Sequence, residues 1–254
     1  MRRILAIALC AMAVAAAAPQ LERTTFDAGE TLDYNLSWVG ISGGAMRMTI
    51  GLAPGDPEHF RITSVAKSSS GFARIFRVRD EIGSLVNRSN FSTVRYDKHL
   101  NERGKRKDDT TIIDAAHGIA IRRRPNKLDE IFPVPQPVFD PLSFVYHLRV
   151  LDLEPGRTHR FTVFADRKVY TLEANVTGRD QIDTPLGPFQ TVVVEPRMQS
   201  GGIFKDEDSR MTIWYSDDER HLPVRIRSEV KVGTINAILK GVTAGVTSSE
   251  PGVK

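Results

Sequence analysis

The chain has 254 residues, with 35 Lys and Arg against 31 Asp and Glu and a formal net charge of +4. So slight an excess lacks the basic field of a nucleic-acid binder, and no nucleic-acid partner is expected. Cys10 is the one cysteine, which excludes an internal disulfide framework.

The first element has the layout of a secretory signal peptide: charged Arg2 and Arg3, an apolar run from Ile4 to Val14, and a small-residue cleavage site at Ala16-x-Ala18. Cutting after Ala18 is expected. The apolar run is shorter than the roughly 20 residues of a spanning helix, and no second run follows, so no transmembrane span is expected after cleavage. Cys10 stands mid-run behind Leu9, not behind the small residue that lipid attachment at a cut site needs, and reads as part of the signal. Without residues 1–18 the chain has no cysteine for a thiol nucleophile or thiolate metal site, and its charge falls to +2 because Arg2 and Arg3 are lost. Residues 19–245 are expected to form a single β-rich domain, with residues 246–254 a Ser-, Gly- and Pro-containing tail.

Strand periodicity dominates the rest of the chain. Leu32, Tyr34, Leu36 and Trp38 alternate with polar residues, and Met46, Met48, Ile50 and Leu52 repeat the pattern. Further along, Tyr170, Leu172, Ala174 and Val176 alternate, as do Val224 and Ile226 and then Val230 and Val232. Residues 60–66, 119–123, 157–165, 189–194, 210–216 and 235–242 read as further strands. Period two over so many segments predicts an all-β, mainly antiparallel fold with one wet and one apolar face. A curved sheet or partly closed β-barrel is expected, with a two-sheet sandwich as the alternative. One short helix is expected over residues 141–151: Asp140 caps it, Pro141 fits its first position, and Leu142, Val145 and Leu148 recur at helical spacing before Pro155-Gly156. The preceding Pro133-x-Pro135-x-Pro137 reads as a strap across a barrel end, with an inter-domain hinge as the alternative.

Gly40-Ile41-Ser42-Gly43-Gly44 spells G-x-S-x-G, the signature of a serine-hydrolase nucleophile elbow. An elbow needs a buried strand before it and a helix after it, whereas both flanks here have strand period. The expectation is a hairpin turn at Gly43-Gly44, and no catalytic residue is assigned. The six histidines (59, 99, 117, 147, 159 and 221) include no H-x-x-x-H pair. Asp206-Glu207-Asp208 and Asp217-Asp218-Glu219 lack calcium-loop spacing and read as solvated turns, so neither a metal nor another cofactor is expected. Arg103, Lys105, Arg106 and Lys107 form a basic hairpin tip that is either solvated or a contact with anionic lipid headgroups, with Arg122, Arg123 and Arg124 a second basic run.

Several stretches resemble the bacterial exported proteins grouped as domain-of-unknown-function family 3108. They are Gly29-Glu30-x-Leu32-x-Tyr34, Trp38-x-Gly40-Ile41-x-x-Gly44, Asp140-x-Leu142-Ser143 with Tyr146-x-x-Arg149, Thr184-Pro185-x-Gly187-x-Phe189 leading to Glu195-Pro196, and Ile213-Trp214-x-Ser216-Asp217-Asp218 followed by Leu222-Pro223-Val224. The resemblance implies a β-rich protein of the periplasm or associated with the outer membrane, and supplies no catalytic residue. Where the family would carry alanine, this hairpin has Gly43. The expected function is a non-catalytic envelope protein that holds a hydrophobic or lipid-like ligand on its concave apolar face, with Tyr34, Trp38, Met46, Met48 and Phe60 lining the site. The alternatives are a filled interior in an envelope scaffold or assembly protein with a protein partner, and a hydrolase using Ser42.

Overall fold

The computed structural model describes residues 26, 29–74, 77–102, 104–199, 210–230 and 233–244. The signal, the acidic run at 206–208, Arg103, Val232 and the tail at 246–254 lie outside the described residues. One continuous antiparallel sheet of 14 strands runs in the order β8-β7-β6-β5-β4-β3-β2-β1-β14-β13-β12-β11-β10-β9. The strands are β1 (Glu30–Trp38), β2 (Ile41–Ala53), β3 (Asp56–Ser68), β4 (Arg79–Asn87), β5 (Thr93–Glu102), β6 (Lys105–Asp114), β7 (Ile119–Arg123) and β8 (Glu130–Pro133). After helix α1 (Pro141–Leu148) come β9 (Thr158–Ala165), β10 (Lys168–Thr184), β11 (Gly187–Gln199), β12 (Arg210–Ser216), β13 (Pro223–Val230) and β14 (Gly233–Ala244). The sandwich alternative is therefore set aside in favour of one curled sheet. Neighbours in sequence pair as hairpins, and the long-range pairing of β1 with β14 joins the two halves. Register shifts at Asp33/Tyr34, Leu36/Ser37 and Val176/Gly178 supply bulges, which bend and twist the sheet.

The alternating apolar residues face inward. Leu32, Tyr34, Ile50, Ile62, Ile213 and Leu239 are among the fully buried side chains. Helix α1 packs inside the curl against β3, β4 and β9. Its start follows from Asp140, whose carboxylate accepts the Leu142 and Ser143 amides at 2.8 and 2.9 Å while Ser143 Oγ accepts the Asp140 amide. The hydroxyls of Ser84 and Thr93 donate to the same buried carboxylate. Burial pushes the Asp140 carboxyl up from its usual range, against the pull of those four donors. The helix ends at Leu148, three residues short of the expected 151. Beyond it the Val150 and Leu151 amides bond three residues back, and the Arg149 side chain turns into the core.

The two free edges of the sheet meet by overlap, without a hydrogen-bonded ladder. Phe161, Val163 and Ala165 of β9 join the main core, whereas Phe164 points to the opposite face. There it packs with Ile113, Ala120, Val134 and Val138, and with Phe132 at a ring separation of 5.5 Å. The inner face of β6–β8 thus lies over the outer face of β9. The proline-rich strap runs through this seam: Phe139 pairs with Val163, and the Val138 carbonyl accepts the Thr93 amide. At the β9–β10 turn, Asp166 and Arg167 both have positive φ, a costly conformation for non-glycine residues. Both side chains reach across the seam, Asp166 to Lys98 at 2.8 Å and Arg167 to Glu130 at 3.2 Å.

Strands β4, β5, β6 and β8 had no counterpart among the alternating segments, although the basic hairpin tip marks the turn between β5 and β6. On the face that Tyr96 presents to the core, β5 and β6 also carry Lys98 and Asp109, so polar residues occupy positions where alternation demands apolar ones.

Candidate ligand-binding site

Strand direction assigns every turn to one of two ends. The β1–β2 turn, the β3–β4 connection, and the β5–β6, β7–β8 and β9–β10 turns share one end; helix α1, Glu30 and the β12–β13 turn share the other. Helix α1 has eight residues, about 12 Å of rise, whereas the nine-residue β1 spans roughly 30 Å. The helix therefore fills only part of the interior.

At the end the helix does not reach, a cavity of about 460 Å³ opens between β1, β2, β3 and the β3–β4 connection. Leu36, Trp38, Met46, Ala66, Phe72 and Val78 form its apolar wall, and Lys67, Asp80 and Glu102 lie at its polar side. Phe72 belongs to a short 3-10 turn, Phe72–Arg74, and meets Trp38 edge to face with ring centroids 6.0 Å apart. The Ser69 amide anchors this connection on the Gly43 carbonyl at 2.9 Å.

Of the five lining residues expected from sequence, Trp38 and Met46 line this cavity. Tyr34, Met48 and Phe60 do not: they are buried in the packed core further down the barrel. Alternation gives the face of a strand but not the depth along it. Phe72, Ala66 and Val78 were missed because none lies in an alternating run read as a site.

The G-x-S-x-G stretch needs a correction. The turn is Val39-Gly40, both at positive φ (48 and 79), while Gly43 and Gly44 lie within β2. Gly44 serves close packing, since a Cβ there would sit 2.2 Å from the Lys67 carbonyl oxygen. A Cβ at Gly43 would touch the Phe72 ring at 3.4 Å, so its absence leaves room for the cavity wall. Ser42 is exposed within an antiparallel strand paired with Ser37, and β3, not a helix, follows β2. The strand-to-helix elbow is absent.

The basic runs separate. Lys105, Arg106 and Lys107 open β6 and are exposed, beside the β5–β6 turn. Arg122 is buried and bonds Asp109 and Glu130, Arg123 pairs with Asp129, and Arg124 with Glu130. The second run is therefore neutralised within the seam and offers no free basic patch. At the opposite end Asp217, Asp218 and Glu219 border an open groove of about 430 Å³ with Asp152 and Glu154. Arg179 bridges Glu154 and Asp217 there. Among the described residues no three His, Cys, Asp or Glu side chains gather to hold a metal ion.

A second polar feature was invisible as a pair in sequence. Arg149, 1% exposed, forms a two-pronged ion pair with Glu30, 3% exposed, at 2.7 and 3.0 Å. Its guanidinium also donates to the Arg220 carbonyl and lies 4.7 Å from the Phe26 ring centre. Burial works against the Arg149 charge, but the Glu30 carboxylate outweighs it and raises the guanidinium's pKa. Three buried tyrosines surround the pair: Tyr34 donates to the Pro223 carbonyl and Tyr215 to the Val145 carbonyl. Burial, foremost, pushes the hydroxyls of Tyr34, Tyr146 and Tyr215 above their ordinary range. Fully enclosed by the core, this cluster ties β1, α1 and the β12–β13 turn together, and its chemistry is structural.

No curated protein matches the chain. Among solved structures the fold is similar to a β-barrel-like protein of domain of unknown function DUF1849 from Brucella abortus, with a TM-score of 0.59 and 8% identity over 87% of this chain and 99% of that one. A candidate lipoprotein from Parabacteroides distasonis aligns with a TM-score of 0.31 at 12% identity, over 85% of this chain and 95% of that one. A candidate exported protein with a YmcC-like fold from Bacteroides fragilis gives the same TM-score of 0.31 and 12% identity, over 84% and 95%. The first likeness supports the barrel-like fold alone, and the other two carry no argument. Residues 33–240 match the family model described as "Protein of unknown function (DUF3108)", and the chain, with its barrel-like sheet curled around one helix, belongs to that family.

Proposed function

We propose that this is an exported envelope protein, with residues 19–245 acting as one domain, that holds the apolar part of a hydrophobic or lipid-like ligand. The observation carrying this reading is the apolar cavity of about 460 Å³ at the helix-free end. Small-molecule sites run from about 300 to 1,000 Å³, are mostly apolar, and carry a few polar groups at one side. Trp38 and Phe72 offer flat faces, and Met46 adapts to irregular apolar shapes. The leader-like residues 1–18 support export, and recovery of a chain beginning at Pro19 from the envelope fraction is the expected result.

Titration with N-phenyl-1-naphthylamine tests the binding site. Saturable uptake by the protein is expected, together with its loss in Ala66→Phe, which fills the cavity from β3. In a Trp214→Phe background Trp38 reports occupancy directly through its fluorescence. A folded protein that takes up no probe would support the filled scaffold reading instead.

A further inference from the structure

The two ends of the barrel differ in the sign of their excess charge. At the cavity end Lys67, Arg74, Arg77, Arg79, Lys105 and Arg106 are exposed, with Asp80 and Glu102 the acids at the cavity's side. At the other end Glu58, Asp152, Glu154, Asp183, Asp218 and Glu219 are exposed, with the fewer cations Arg88, Arg157, Arg179 and Arg220 among them; Arg157 pairs with Asp152 and Arg179 with Glu154. The strands hold these ends roughly 30 Å apart, several times the ~8 Å Debye length at physiological salt, so each presents its own field. Lys67 and Arg79 are direct cross-strand partners, a like-charge pairing that works against the hairpin.

Exposed apolar side chains share the cationic end. Val39 is 60% exposed, Ile41 62%, Ile235 42% and Leu128 91%, and all four lie at or beside its turns. Ile235 also lines the cavity, and both Ile235 and Ile41 are register partners of Trp38. Val39 is β-branched, 60% exposed with its Cγ2 over Gly233, and sits at φ 48, a conformation in which such a residue is strained. A turn needing only its backbone geometry would do better with Asn or Gly. Strain, exposed apolar tips and clustered cations thus coincide at the mouth of one cavity.

We infer that this end docks on an anionic lipid surface, with Val39 and Ile41 entering the interface and Lys67, Arg74, Arg77 and Arg79 meeting the headgroups. The inference rests on the ligand-binding reading and deepens it: the cavity mouth would open onto the membrane that supplies or receives the ligand. The acidic end would face away, so the field orients the molecule as well as attracting it. Each cation near such a surface contributes about fivefold in affinity, and binding should weaken steeply with salt.

The test is co-sedimentation of the protein with phosphatidylglycerol-containing vesicles, beside pure phosphatidylcholine vesicles and in parallel with probe uptake. Salt-sensitive pelleting with the anionic vesicles only is expected. The triple variant Arg74→Glu/Arg77→Glu/Arg79→Glu should bind at least about tenfold more weakly, and Val39→Asp/Ile41→Asp should also lose binding. Both should keep probe uptake within about twofold, which shows that they fold and that the cavity is intact. Reversal at the far end, Asp218→Lys/Glu219→Lys, should leave vesicle binding no weaker. Wild-type protein that takes up probe yet never pellets, or pellets equally with neutral vesicles, overturns the docking while leaving the ligand reading standing. So does salt-sensitive self-association without vesicle binding, which would mean that the cationic end meets the acidic end of a second copy. Pelleting without probe uptake overturns the link to the cavity and the ligand reading with it.

Discussion

The two ends of the barrel share one sheet, yet one is solid and the other hollow. At the solid end helix α1 occupies the interior, and two buried polar groups, the Arg149–Glu30 pair and the Asp140 carboxylate, bind helix to sheet. At the hollow end no helix among the described residues fills the space, and apolar walls face one another across it. The contrast teaches that one pattern of inward apolar residues can make either a core or a site. What decides is how far the central helix reaches.

The sharpest way to break the contrast is at the solid end. Arg149→Met leaves the buried Glu30 carboxylate only the long contact to the Arg220 guanidinium at 3.9 Å, and should cost about 3–5 kcal/mol in denaturant unfolding. Glu30→Leu in the same chain should recover much of that loss, because the uncompensated charge, rather than the missing bond, carries the penalty. If the single and double variants are equally unstable, the pair is not the joint described here.

Asp140→Ala removes the helix cap and orphans the Ser84 hydroxyl, while Thr93 keeps only its contact with Ser143 Oγ at 3.1 Å, for an expected cost of about 2–3 kcal/mol. Asp140→Asn should keep the cap and lose less. Equal effects from the two would place the value of Asp140 in its charge.

A pH series sharpens the comparison further. His147 is packed among Phe91, Phe139 and Phe161, its Nδ1 has no hydrogen-bond partner, and burial, with a smaller push from His159, lowers its pKa to about 4. The unfolded chain takes up that proton near pH 6.5 and the folded chain only near 4. The contribution of the neutral ring is therefore complete above about 6.5 and is lost as pH falls toward 4, by about 3 kcal/mol. His147→Phe should flatten that part of the stability profile. An unchanged slope would mean that the ring protonates in place.

The smallest effect on stability is expected at the hollow end. Trp38→Ala should cost about 1 kcal/mol or less, because its ring borders open space. Probe affinity should nonetheless fall about tenfold. A large stability loss with unchanged uptake would make the cavity wall part of the core after all.

Much of the architecture was legible along the chain. Leu32, Tyr34, Met48 and Ile50 announced an inward face, and Asp140-Pro141 announced the helix. Glu30, Asp140, Tyr146 and Arg149 were visible as family-like motifs, but nothing local said that Glu30 and Arg149, 119 positions apart, form one ion pair. The strand period, the class of sheet and the helix start can be read from the residues alone, because they rest on propensity and pattern within a few positions. Tertiary structure alone decided that Trp38 and Met46 border a cavity while Tyr34, Met48 and Phe60 fill a core, that Arg122 is spent on Asp109 and Glu130, and that opposite charges collect at opposite ends. Each of those outcomes depends on which strands become neighbours and on where an eight-residue helix stops inside them, and no residue carries that information within its own turn or strand.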